Sequence, residues 1–349
     1  MNFLFVGLGS IGQRHLRLLK KINTKFKFSV YSKRKQINEL NSKNKFISKN
    51  LLKKYNIKVF RNFNLACLSN PDAVFICNDS SKHEKYLKIA NNYNLNIFVE
   101  KPITTNLKNL TKILKKNKSQ KNIIYTGYQL KFNQSVILIK DLLRKKKIGK
   151  ICGANLYNGE NYRNFCKYKN IKKSYAVNKN KGGGSILTQI HEIDLANYFF
   201  GRPYSVYCSG NKKNRLNFDV ETYSNFIINY QSKDNFPVNI VLEYFQSPPM
   251  RKVLIVGSEG AISWNYYSNK IKVNYYNKKK KNLIYKNKKL KRDQMFKDQL
   301  LFFIKTLNNK KNMRENLVNS YNSILVAEAL KESMKNQKIV YIRNLNEKK

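Results

Sequence analysis

Six residues near the start of this 349-residue chain narrow the choice of fold more than any others. The apolar run Asn2-Phe3-Leu4-Phe5-Val6 enters Gly7-Leu8-Gly9-Ser10-Ile11-Gly12 directly, and Ile11, His15, Leu18 and Ile22 then recur at helical spacing. A G-x-G-x-x-G between a strand and a helix is the fingerprint of a dinucleotide-binding βαβ unit. Gly7 permits the tight turn, Gly9 lets the backbone approach a pyrophosphate, and Gly12 allows close packing of helix on strand. Ser10 and Ile11 open the helix, whose positive N-terminus would face the phosphates. A glycine turn with a purely structural role is the alternative.

The pattern that follows extends this reading. Short β-branched or aromatic runs at 3–6, 28–31, 57–60, 73–77, 96–99 and 123–126 alternate with amphipathic stretches such as 11–22 and 82–93. Such alternation predicts a doubly wound parallel sheet of Rossmann type over residues 1–126. Residues 127–349 read differently. Helices are expected near 135–146 and 185–199, then strands at 204–209, 223–230, 238–245, 252–256, 261–264 and 271–276 without helices between them, then helices near 294–308 and 319–335. The expected fold is therefore α/β, a Rossmann domain followed by an α/β domain with a largely antiparallel open sheet. The Lys- and Asn-rich stretch from Lys278 to Arg292 reads as a solvated loop around a short strand at Leu283-Ile284-Tyr285.

Charge is the other conspicuous property. The chain carries 69 Lys+Arg against 20 Asp+Glu, a formal net charge of +49. The lysines are spread along the whole length and accompany heavy use of Asn, Ile, Tyr and Phe, so the excess reads as compositional drift rather than a basic nucleic-acid patch. No sequence-specific nucleic acid partner is expected, but the surface favours phosphorylated or acidic ligands. Five scattered cysteines, Cys67, Cys77, Cys152, Cys166 and Cys208, lack metal or redox spacing. No metal site follows from them, and no apolar run approaches the length of a membrane helix. A reducing cytoplasm and no membrane partner are the expectation.

Around 20 positions after the glycine motif, NAD-selective sites place an acid on the adenosine ribose. Here the corresponding residues are Ser32-Lys33-Arg34. A hydroxyl followed by two cations suits a 2′-phosphate, which predicts NADP(H) as preferred cofactor with NAD(H) possible. Lys33 and Arg34 as ordinary solvated loop residues remain the alternative.

Further along stand Pro71 to Cys77, Asn78-Asp79-Ser80-Ser81-Lys82-His83, Val99-Glu100-Lys101-Pro102, Gly127-Tyr128-Gln129-Leu130-Lys131-Phe132, and Gly182-Gly183-Gly184 running on to His191-Glu192-Ile193-Asp194. In this order they resemble the glucose-fructose oxidoreductase/inositol dehydrogenase/rhizopine-catabolism (Gfo/Idh/MocA) family over essentially the whole chain. The resemblance implies an oxidoreductase acting on a sugar, cyclitol or sugar nucleotide in carbohydrate metabolism, with cell-surface sugars as the expected setting, and a homo-oligomer. It implies Lys101 beside the nicotinamide and the reacting carbinol, and His191 as general acid or base on the same hydroxyl. Both assignments are chemically sound: an ammonium steadies the developing negative charge on oxygen, and an imidazole exchanges protons near neutrality. Asn78, Ser80, His83 and Glu100 fall on the cofactor side, and Gln129, Thr188, Asp194, Lys173 and Tyr175 on the substrate side. All three histidines of the chain lie inside family motifs.

The chain departs from the common pattern at two places. Leu187 occupies the position, four before the histidine, where many members carry aspartate, with Thr188 next to it; Lys131 stands where arginine is common. Asp194, one helical turn after His191, reads equally as a group that orients substrate or imidazole and as an ordinary helix carboxylate. The alternative activities are a hydrolase or isomerase holding NAD as a transient oxidant, and a non-catalytic dinucleotide-binding protein.

Overall fold

A computed structural model of the chain describes residues 1–42, 45–49, 51–117, 122–164, 171, 174–211, 217–230, 235–286, 292–309 and 314–342. Lys173 and Cys166 lie outside the described residues.

The strands of the first sheet are β1 (Asn2–Val6), β2 (Lys27–Tyr31), β5 (Lys58–Phe60), β6 (Ala73–Ile76), β7 (Ile97–Glu100) and β8 (Ile124–Gly127), with a small separate hairpin, β3 (Glu39–Leu40) and β4 (Phe46–Ser48). Their spatial order is β5-β2-β1-β6-β7-β8 and every pairing is parallel. The order reverses between β1 and β6, so the crevice that an open α/β sheet offers to ligands lies beyond the carboxyl ends of those strands. Helices α1 (Ser10–Ile22), α2 (Leu51–Lys54), α3 (Phe63–Leu68), α4 (His83–Asn92) and α5 (Leu110–Asn117) connect them.

Strands buried on both faces should be apolar throughout, and these are. Leu4, Val6, Val74, Ile76, Ile97 and Val99 are buried in one cluster, and Phe3, Phe5, Phe75 and Phe98 in the other. Phe75 stacks on Phe5 at 5.1 Å and on Phe98 at 4.8 Å between ring centroids. Each fully buried ring contributes on the order of 1.5–3 kcal/mol.

The second sheet has nine strands: β9 (Ile151–Gly159), β10 (Pro203–Gly210), β11 (Tyr223–Tyr230), β12 (Phe236–Glu243), β13 (Met250–Gly257), β14 (Gly260–Asn265), β15 (Lys270–Tyr275), β16 (Leu283–Lys286) and β17 (Val340–Tyr341). Their order is β16-β15-β14-β13-β9-β12-β11-β10-β17, antiparallel except where β9 runs parallel to β12. Val206, Ile228, Val238, Ala154, Ile255, Ile262 and Val273 form one cross-strand row and are all buried. The neighbouring row, with Tyr207, Ile227 and Leu254, points to the open face and is more than one-third exposed at each of those three residues.

Helices α6 (Gln134–Arg144), α7 (Ser185–Thr188), α8 (His191–Phe200), α9 (Arg292–Asn308) and α10 (Arg314–Asn336) complete the chain. The last two return to the first sheet. Phe303 of α9 sets its ring edge against Phe75 and Phe98 at 5.8 and 5.4 Å, and Asn316 of α10 accepts a hydrogen bond from Thr126 N at 2.8 Å.

Two expectations need correction. The single helix expected over 185–199 is two: Gln189 leaves helical geometry (φ −103°, ψ 29°), and its amide donates to Glu243 O at 3.1 Å. The break puts His191 at the first position of α8. Strand β9, central to the second sheet, has no counterpart among the expected strands. Its run Ile-Cys-Gly-Ala-Asn-Leu-Tyr-Asn-Gly contains two glycines and two asparagines, which hide a strand until neighbours on both sides impose one. Among the described residues no helix is long and apolar enough to cross a membrane.

Candidate active site

The glycine loop leaves β1 with Gly7 at φ +96°, and a Cβ there would stand 2.8 Å from Asn78 Cα. A Cβ on Gly12 would run into the carbonyl oxygen of Gly7. Gly9 differs: a Cβ there would meet nothing within 4 Å. That space lies over the N-terminus of α1, whose N-cap Gly9 contributes no side-chain cap and whose first turn, starting with Ser10 and Ile11, carries no acid. A helix start whose N-cap has no side chain, with open space before it, is what a pyrophosphate requires. These residues therefore fit a dinucleotide.

Ser32, Lys33 and Arg34 follow β2, with Lys33 and Arg34 exposed. Ser32 Oγ accepts from Arg34 N at 3.1 Å, and Arg61, after β5, donates from Nη1 to the carbonyls of Ser32 (2.6 Å) and Arg34 (2.7 Å). Arg61 thus clamps the loop, a role with no signal in local sequence. Across the crevice, His83 at the start of α4 presents Nδ1 to Pro102 O at 2.8 Å and Nε2 to Asn78 O at 3.1 Å. It pins the loop after β6 to the loop after β7, and burial pushes its pKa down. Asn78 Oδ1 is buried without a hydrogen-bond partner among the described residues, and Ser80 is buried beside it.

Glu100 ends β7. Its Oε1 meets His15 Nε2 from α1 at 2.6 Å, and its Oε2 accepts from Lys101 N at 3.2 Å. The next residue crosses to the other half of the molecule: Lys101 Nζ donates to Thr188 O at 2.7 Å. The backbone carbonyl at the end of α7 takes up the ammonium, while Leu187 is packed in the core. The turn before α7 is close to the first half as well, since a Cβ on Gly182 would stand 3.2 Å from Ser80 Cβ. Tyr175 lies before that turn and is partly buried.

His191 is buried, with Nε2 3.1 Å from Gln129 Nε2. Burial drives its pKa well below the usual value, and the positive charges of Lys101, Arg251, Arg292 and Lys131 act in the same direction. The imidazole is therefore neutral at neutral pH. Burial also lowers Lys101, to about 8, against the pull of Glu100. Asp194 is engaged with Lys131 Nζ at 2.9 Å and Ser323 Oγ at 3.5 Å rather than with the imidazole. The lysine found where arginine is common is thus the partner of that carboxylate.

Sequence reasoning overlooked Glu192, whose buried carboxylate lies 2.7 Å from Arg251 Nε of β13 and accepts from Asn158 Nδ2 of β9 at 3.2 Å. Nothing could have flagged Asn158, because its strand was itself unrecognised.

A family model described as an oxidoreductase family with an NAD-binding Rossmann fold matches residues 1–128, and the model of the Gfo/Idh/MocA C-terminal domain matches 136–263. The chain belongs to the Gfo/Idh/MocA family. Among curated relatives, myo-inositol 2-dehydrogenase of Thermotoga maritima is 23% identical over 202 residues, covering 58% of this chain and 55% of the relative. The 2,7-anhydro-N-acetylneuraminate hydratase of Mediterraneibacter gnavus is 25% identical over 197 residues, covering 55% and 50%. The chain matches about half the length of these relatives. Among solved structures, levoglucosan dehydrogenase in complex with NADH and levoglucosan shares the fold, with TM-score 0.82 at 14% identity over 99% of this chain and 100% of the other.

Proposed function

We propose that this Gfo/Idh/MocA member moves hydride between a nicotinamide dinucleotide, NADP(H) in preference to NAD(H), and a hydroxyl-bearing carbon of a sugar, cyclitol or sugar nucleotide. Residues 1–126 hold the cofactor and 127–349 the substrate. The observation that carries this reading is the 2.7 Å bond by which Lys101 Nζ, at the end of the first half, reaches Thr188 O in the second, three residues before His191, whose imidazole feels the Lys101 charge. Inositol and levoglucosan dehydrogenases among the similar proteins favour the same substrate class.

The dinucleotide, when bound, supplies the hydride acceptor or donor. Gly7, Gly9, Ser10, Ile11 and Gly12 receive its pyrophosphate, Ser32, Lys33 and Arg34 its adenosine ribose, and Asn78, Ser80 and Glu100 border its nicotinamide half. His83 keeps that border in place through its two carbonyl contacts. Lys101 donates to the substrate oxygen and steadies the negative charge that develops there. His191, neutral and buried, takes the hydroxyl proton at Nε2, where substrate displaces the Gln129 amide. Thr188 and Tyr175 border the substrate, and Asp194 holds Lys131 in the wall.

The test is a screen of cyclitols, aldoses and their acids with NADP⁺ and NAD⁺, following absorbance at 340 nm. Growth of absorbance that disappears in Lys101→Ala supports the proposal. Substrate consumption without net change at 340 nm favours a second reading, transient oxidation by retained cofactor, which the hydratase among the relatives brings forward.

A further inference from the structure

Arg251 begins the covered face of β13, two and four residues ahead of the buried Val253 and Ile255, and its register partner is Asn158. The position is unusual for a cation. The guanidinium lies 5.2 Å from the Tyr266 ring centroid, and the side chain is only 15% exposed. Its Nε is 2.7 Å from Glu192 Oε1, yet the two are not aligned as a hydrogen bond, and neither atom has another partner among the described residues. Glu192 keeps its second oxygen on Asn158. The two Nη groups make no hydrogen bond to any described residue, so a planar fork of N–H donors is held in place by the ring and the carboxylate with its outer edge unused.

The guanidinium is tied to the reaction site through its ion-pair partner, because Glu192 directly follows His191 in α8. The charge of Arg251 acts on both Lys101 and His191, and all four charged groups that act most on His191 are cations. One of them, Arg292, is exposed at the first position of α9. Glu192 and Glu160 are the acids acting on Arg251. A fixed guanidinium fork in a positive potential fits the two oxygens of a carboxylate or phosphate better than a hydroxyl.

The geometry points to Arg251 as a specificity-determining residue that binds an oxyanion, the carboxylate or phosphate of an acidic sugar, while the reacting hydroxyl lies between Lys101 and His191. This rests on the sugar-oxidoreductase reading above and narrows its substrate to acidic sugars.

The experiment loads the protein with NADPH, confirmed by nicotinamide fluorescence, and then measures calorimetric binding of D-glucose, D-glucuronate and D-glucose 6-phosphate. Failure to load contradicts the dinucleotide site itself and is read before any sugar is added. In loaded protein one or both acids bind about tenfold or more tightly than glucose, and which acid does so separates carboxylate from phosphate. Because a protein of charge +49 attracts anions everywhere, the deciding arm is the variant: in Arg251→Gln the preference collapses. Arg251→Lys, which keeps a charge for Glu192 but loses the fork, gives the same reading if the glutamine variant does not fold, and its preference falls several-fold. Equal binding of acids and glucose, or an acid preference unchanged in both variants, overturns the inference.

Discussion

At Gly9 a methyl group would meet nothing within 4 Å, whereas at Gly7 it would press on the Asn78 backbone at a φ of +96°. The two glycines therefore separate fold from function. Gly7→Ala should cost about 1–3 kcal/mol, seen as a lower melting temperature, while Gly9→Ala should melt with wild type and lose NADPH affinity. Lys101 gives a second prediction at this scale. With its pKa near 8 it is an ammonium below that pH and loses its proton above it, so kcat/KM for the oxidation should fall as pH rises through about 8. A rise through the same range would mean that Lys101 acts as the base. Lys101→Ala should reduce kcat by on the order of a hundredfold or more while NADPH affinity stays within about twofold. The glycine motif was legible because it depends on residue type in a fixed local context, whereas the roles expected of Lys101 and His191 came from the family resemblance and not from their own surroundings in sequence. Arg61 and Arg251 were not legible, since one acts through backbone carbonyls 27 and 29 positions away and the other through a strand register.

Among elements, the parallel strands were readable because burial on both faces makes them continuously apolar, and β10–β16 because alternation marks one open face. Strand β9 was hidden by its glycines and asparagines, and the break before α8 by Ile186, Leu187, Ile190 and Ile193, whose helical spacing runs straight through it. That break matters chemically: it sets His191 at a helix N-terminus, where the dipole adds to the neighbouring cations in keeping the ring neutral. The contact of His15 with Glu100 joins α1 to the end of β7. His15→Ala would leave the Glu100 carboxylate, 6% exposed, without that partner, and should cost about 1–3 kcal/mol in a denaturant titration; an unchanged midpoint would show that the contact contributes nothing.

For the whole molecule, the nine-stranded sheet is covered by helices on one face and shows Tyr207, Ile227 and Leu254 on the other. We expect that face to join copies of the chain, so light scattering should report a dimer or larger, and Leu254→Asp should shift it toward monomer; a monomeric wild type contradicts this. The charge of +49 should draw anionic cofactor at long range, so association of NADPH should slow steeply with salt. The glycine loop and the Ser32-Lys33-Arg34 turn should together make a site for NADP(H). Purified protein, shown free of retained cofactor, is titrated with NADPH and with NADH while nicotinamide fluorescence is followed. Saturable binding of both, tighter for NADPH by about tenfold or more, is the predicted result. Dissociation constants within a factor of two would remove the NADP preference, and binding of neither by folded protein would contradict the function proposed here.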